Sequence, residues 1–159
     1  MLFRSLEGKG TFAPQLHELA DADDARATVD YWIGEGATSF KAYMHITRAE
    51  LAAAIAAAHA HDIKVTGHLC SIGFTEAVSL GIDNLEHGLV VDTEFLPGKT
   101  PDVCPDAKQA GAELAKMDID DPRLQQLIRL LVAKQVAITS TLPVFETFVP
   151  GRAPVDPRV

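Results

Sequence analysis

Hydrophobic and polar positions in this chain switch between two periods, and the switches mark the elements. A helix is predicted from about Asp23 through Val29 and Trp32 to Gly34, with Gly36 in the turn that follows. Thr38-Ser39-Phe40-Lys41-Ala42-Tyr43 then reads as a strand. Thr47-Arg48-Ala49-Glu50 has the form of a capping box, in which hydroxyl and carboxylate each satisfy a free backbone donor. It opens an Ala-rich helix to about Ala60, with Leu51 and Ile55 one turn apart on one face. Ile63 to Leu89 forms the most regular stretch: a β-branched run ending near His68, a helix over roughly Ile72–Leu80 stopped by Gly81, and a strand ending in Glu86-His87-Gly88. Asp121-Pro122 supplies an N-cap followed by proline at the first helical position, and Leu124, Leu127, Ile128 and Leu131 stripe the helix it starts. Val136 to Leu142 reads as the last strand.

Four strands, near residues 38–43, 63–68, 82–87 and 136–142, thus alternate with helices. The strands read as apolar on both sides. That pattern predicts an α/β fold with a parallel sheet and right-handed crossovers. About four βα units make either a partial (β/α)8 TIM barrel or a small doubly wound sheet, and periodicity does not choose between them. Met1 to Ala20 carries no strong period. The chain is expected to be one partial domain spanning 1–159, with a βα core over 24–142 and a loose Pro-rich tail over 143–159.

Composition narrows the function more than the fold. With 14 basic against 22 acidic residues the net charge is −8, which argues against nucleic acid or an anionic membrane as partner. No apolar run reaches membrane-spanning length, and no signal-peptide core follows Met1. A soluble protein of unspecified location is expected. Cys70 and Cys104 show no metal-knuckle spacing and point to neither a disulfide scaffold nor a zinc finger. Cys70 reads as a buried small residue, since no base is placed to make it a nucleophile.

In a parallel sheet His68 and His87 would emerge at the same carboxyl edge, where α/β folds place their chemistry. Lys41 ends the strand before them. Phe40-Lys41-Ala42-Tyr43, Thr66-Gly67-His68 and Leu85-Glu86-His87-Gly88, in that order, resemble strands four, five and six of the amidohydrolase superfamily. Its prolidase-like and imidazolonepropionase-like metal-dependent hydrolases are the most similar branch, and the resemblance covers about residues 24–142. It implies that Lys41 is carboxylated, that its carbamate bridges two divalent metals, zinc for preference, and that His68 and His87 bind the second metal. Neutral imidazoles suit such ions, and a metal pair acidifies a shared water and polarises a carbonyl.

The pattern also needs a His-x-His pair on strand one and an aspartate on strand eight, and neither is present in these 159 residues. Only half of a binuclear site is then encoded, with no catalytic residue of its own, and a fragment of a longer hydrolase is expected. The implied activity is hydrolysis of amide C–N bonds, with dipeptides, imino-acid peptides or cyclic amides as substrates. The alternative is an inactive half-barrel that works through assembly or binding. Either way, self-association or pairing with the missing barrel half is expected.

His59-Ala60-His61 imitates the missing pair but sits at a helix end, where residues two apart point about 200° from each other. These are read as surface or helix-terminal histidines. Tyr43 and His45, just past a strand, could contact substrate or be structural, and Thr139 and Thr141 could face the pocket. Tyr43, His45 and Thr141 are carried forward as substrate-binding candidates. Glu86 alternates away from His87 along its strand and reads as structural, pairing with a neighbouring unit. The long connection from Leu89 to Asp121 is a candidate lid or subunit contact.

Overall fold

A computed structural model describes residues 3–10, 16–143 and 150–151. The predicted tail over 143–159 therefore lies almost entirely outside the described residues. Five parallel strands form one sheet in strictly sequential order: β1 (Phe3–Leu6), β2 (Ser39–Ala42), β3 (Val65–Gly67), β4 (Asn84–Glu86) and β5 (Ala137–Thr139). A doubly wound sheet reverses its strand order at a switch point, and this one does not. The helices α1 (Ala22–Gly34), α2 (Arg48–His59), α3 (Phe74–Leu80) and α5 (Pro122–Lys134) pack in chain order, α1 on α2, α2 on α3 and α3 on α5. The architecture is an arc of a (β/α) barrel.

Local chemistry explains most boundaries. Asp21 caps α1 by accepting from the Asp23 and Asp24 amides. Thr47 and Glu50 form the reciprocal box that starts α2. Gly81 ends α3 at φ 97°, a conformation that costs glycine little. Asp121 caps α5 with Pro122 in its first turn. Since α3 lacks a side-chain cap of its own, Asp92 and Glu94 supply one from the following connection. Asp92 Oδ1 accepts from Phe74 N at 3.4 Å, and Glu94 Oε2 accepts from Thr75 N at 2.7 Å.

Two expectations fail here. The stretch read as patternless contains β1, whose Arg4 lays its guanidinium 3.7 Å from the Trp32 ring centre. A charged residue thus takes an inward, helix-facing position by stacking on an aromatic, which hides the strand from a polarity pattern. The strands are also not apolar on both sides. Phe40, Ala42, Val65 and Leu85 are sealed against the helices. Across the sheet, Ser39, Lys41, Thr66, Asn84 and Glu86 alternate with them on the concave face.

The connection after β4 is the stretch read as a candidate lid or subunit contact. It begins with a 3₁₀ turn at Gly88–Val91 and includes α4 (Ala107–Leu114). Between these it is fastened repeatedly to the loops after β2 and β3. Thr93 Oγ1 donates to Cys70 O at 2.6 Å, Lys99 Nζ donates to Ser71 O, and Arg48 holds Asp102 through two nitrogens at 3.0–3.2 Å. Cys70 and Cys104 form a disulfide across a sequence separation of 34 residues, with Cα atoms 4.8 Å apart. The sequence reading gave these cysteines no bond; the fold brings them together through a contact that local spacing does not encode.

Candidate functional site

Three strands deliver the site. Register pairs Lys41 with Thr66 and Thr66 with Asn84, so β2, β3 and β4 end level with one another. His68 follows β3, its amide donating to Ala42 O at 3.0 Å, and His87 follows β4. Their rings meet edge to face with centroids 4.3 Å apart, and the Tyr43 ring packs 5.1 Å from His68. Lys41 Nζ lies 5.3 Å from the Tyr43 ring centre and donates to Glu86 Oε2. That same carboxylate oxygen is 3.7 Å from His87 Nε2. Lys41, His68 and His87 are therefore brought together at the carboxyl edge.

Glu86 is the residue that sequence reasoning misplaced. Strict alternation would send it away from His87, but His87 has φ 67°, and this left-handed turn returns its ring to the face Glu86 already occupies. Glu86 does pair with a neighbouring unit, as expected, yet it does so inside the site through Lys41. Its other oxygen accepts from Thr66 Oγ1 at 3.2 Å. Asn84 then donates to Thr66 Oγ1 at 2.6 Å and accepts from Thr139 at 3.1 Å, so one polar chain crosses four strands.

The electrostatics favour uncharged imidazoles. Burial, helped by the charges of His87 and Lys41, pushes His68 down to about 4. His87 is also lowered, chiefly by burial; Glu86 opposes this and Lys41 adds to it. Thr141 Oγ1 lies 2.7 Å from His87 Nδ1, which leaves Nε2 on the Glu86 side of the ring.

The remaining candidates separate. His45 turns toward the end of β1: its amide donates to Glu7 Oε1 at 2.7 Å, and its Nδ1 stands 3.6 Å from Glu7 Oε2. Glu7 is fully buried and was missed in the sequence, where it falls in the stretch without a period. It binds the loops after β1 and β2 so closely that a Cβ on Gly8 would lie 2.1 Å from His45 O. His59 ends α2 and meets Asp83 at 2.9 Å, and His61 lies exposed beyond it. Neither takes part in the carboxyl-edge cluster.

The donor set fits a metal in part. Two adjacent neutral imidazoles are suitable ligands, and Lys41 would join them only as a carbamate, after leaving Glu86. Among the described residues no group of three or more His, Cys, Asp or Glu side chains is arranged to hold a metal ion. Among the same residues no helix is long and apolar enough to cross a membrane. A surface depression of about 570 Å3 beside Phe95, Arg123 and Leu127 shares no residue with the histidine cluster.

No protein-family model matches the chain, and no curated protein sequence matches it. Several solved structures are similar in part. A bottromycin amidohydrolase is 24% identical over 66% of this chain and 22% of its own, with a TM-score of 0.48. A prolidase complexed with N-methylphosphonate-L-proline is 14% identical over 86% of this chain and 45% of its own, with a TM-score of 0.46. An amidohydrolase is 13% identical over 87% of this chain and 46% of its own, also at 0.46. The chain spans less than half the length of each. Likenesses this partial add no weight to the site, whose reading rests on its own residues.

Proposed function

We propose that this chain carries part of the centre of a metal-dependent hydrolase of amide C–N bonds, with dipeptides, imino-acid peptides or cyclic amides as substrates. The observation that carries the reading is the meeting of Lys41, His68 and His87 at the level ends of β2, β3 and β4. In it His68 and His87 are metal ligands, Lys41 is a carbamate ligand, and Thr141 orients His87. A divalent ion, zinc for preference and in a pair, would polarise the amide carbonyl and acidify the attacking water. Burial keeps the His68 lone pair free of a proton at neutral pH, and Tyr43 at its ring edge limits the space a substrate can enter. A His-x-His pair and an aspartate, which the resemblance requires, would have to come from outside these residues.

The test is metal content after dialysis together with hydrolysis of a dipeptide panel, on this chain and on the complete reading frame that encodes it. Lys41→Ala should remove most metal and activity from the complete protein, and bicarbonate should aid reconstitution of the wild type. Lys41→Arg should do no better than Ala, because guanidinium stays cationic. Full metal content and rate in the Ala variant would end the carbamate reading.

A second reading has its own observation. Among the described residues the sheet ends at β1 and β5, each pairing with one neighbouring strand, and the concave face between them is polar. An inactive arc that functions by associating with itself or with a complementary half would use those edges. Hydrolysis by the complete reading frame separates the two: this reading requires an oligomer by light scattering and no hydrolysis even from the complete protein.

A further inference from the structure

Beside His68 the fold encloses a cavity of about 100 Å3, walled by Met44, Leu69, Val91, Ala107 and Ala110. Val90 also lines it and is 53% exposed, so the cavity reaches the surface there. Its polar neighbours are already engaged: the Thr93 hydroxyl donates to Cys70 O, and Cys70 is tied to Cys104. What remains for a guest is an aliphatic wall with one imidazole on its rim.

We infer that this cavity is a binding pocket for a small branched aliphatic group of the ligand that approaches His68. The inference rests on the reading of His68 as part of the site and adds the chemistry of the group beside it. Size sets the class. An aliphatic cavity of about 150 Å3 accepts benzene, so one of about 100 Å3 suits a chain of three or four carbons and rejects an aromatic ring. Pre-formation supports binding over mere loose packing. The segment over the cavity is held by the disulfide, by Lys99 on Ser71 O and by Arg48 on Asp102, so its walls are fixed before a ligand arrives. Ala110 is buried on α4 and contributes only a methyl group to the wall, which leaves the space that a larger side chain would fill.

The experiment is methyl NMR on the full 159-residue chain, titrated with isovaleramide, acetamide and phenylacetamide. Isovaleramide should shift the Val91, Met44 and Ala110 methyl signals saturably, and acetamide should bind at least about tenfold more weakly. Phenylacetamide should not shift them. Ala110→Leu should weaken isovaleramide about tenfold or more. Val91→Ala, which enlarges the pocket, should admit phenylacetamide, a gain that a misfolded variant would not show. Absence of saturable shifts, or equal isovaleramide affinity in wild type and Ala110→Leu, overturns the pocket. The titration needs neither metal nor turnover. A pocket that binds isovaleramide in a chain whose Lys41→Ala form keeps its metal would leave this inference standing while the hydrolase reading fell.

Discussion

On the helix side of the sheet Phe40, Ala42, Val65 and Leu85 are closed off from solvent, while on the concave side Lys41, Thr66, Asn84 and Glu86 bind one another. The same short strands make both faces. On the first face, burial of apolar area drives the helices onto the sheet and no partner needs to be specific. On the second, Lys41, Thr66, Asn84 and Glu86 each take a named partner, because their neighbours leave them little water. The helix side therefore carries stability, and the concave side carries chemistry at a stability cost. Substitutions on the two faces should differ accordingly.

The largest difference is expected between neighbours in β2. Phe40→Ala should cost about 3–5 kcal/mol, since a fully buried ring leaves a cavity that the helices cannot close. Ser39→Ala, one residue away on the other face, should stay within about 0.5 kcal/mol, because among the described residues the Ser39 hydroxyl has no hydrogen-bond partner to lose. Urea denaturation of both variants measures the gap. Equal losses would show that the concave face is packed as a core.

A smaller effect tests whether the concave pair behaves as a unit. Lys41 and Glu86 side chains are 17% and 16% exposed, so removing either leaves a poorly hydrated charge. Glu86→Leu and Lys41→Met should each cost about 1–3 kcal/mol. The double variant should cost less than the sum by about 1 kcal/mol or more. Additive losses in the double-mutant cycle would mean that the ion pair contributes nothing beyond its two side chains.

These contrasts also explain what the sequence disclosed. The helix starts and the Gly81 stop were legible because a cap is a local arrangement of side chain and backbone, as at Thr47–Glu50 and Asp121–Pro122. The parallel sheet and the order of Lys41, His68 and His87 along its edge were legible because βα spacing fixes them. β1 was hidden because Arg4 faces the helices by stacking on Trp32. The position of Glu86 was hidden because a left-handed backbone at a histidine leaves no mark in a polarity pattern. The Cys70–Cys104 bond and the Glu7–His45 contact join segments distant in sequence, and only the assembled arc brings them together.

The smallest effect concerns a carboxylate that breaks the rule of the helix side. Asp92 is 2% exposed, and burial, followed by the nearby charge of Glu94, raises it to about 7. Its Oδ1 still accepts from the Phe74 and Glu94 amides, whereas Oδ2 has no hydrogen-bond partner among the described residues. A carboxyl whose folded pKa lies above its unfolded value favours the folded state while protonated. The unfolded state releases the proton first, so stability falls as pH rises from about 4 toward 7 and levels off above it. Asp92→Asn keeps an oxygen for the two amides and cannot ionise. It should lie within about 1 kcal/mol of the wild type at pH 5. Its stability should then respond less to rising pH, so that above pH 7 it exceeds the wild type. Asp92→Ala lacks the oxygen and should lie about 1 kcal/mol below Asp92→Asn at both ends of the range, the cost of an uncapped helix start. Denaturation of the three proteins at pH 5 and pH 8 is sufficient. Parallel pH responses in wild type and Asp92→Asn would show that Asp92 is charged throughout, and that this buried position tolerates an ion as readily as the concave face does.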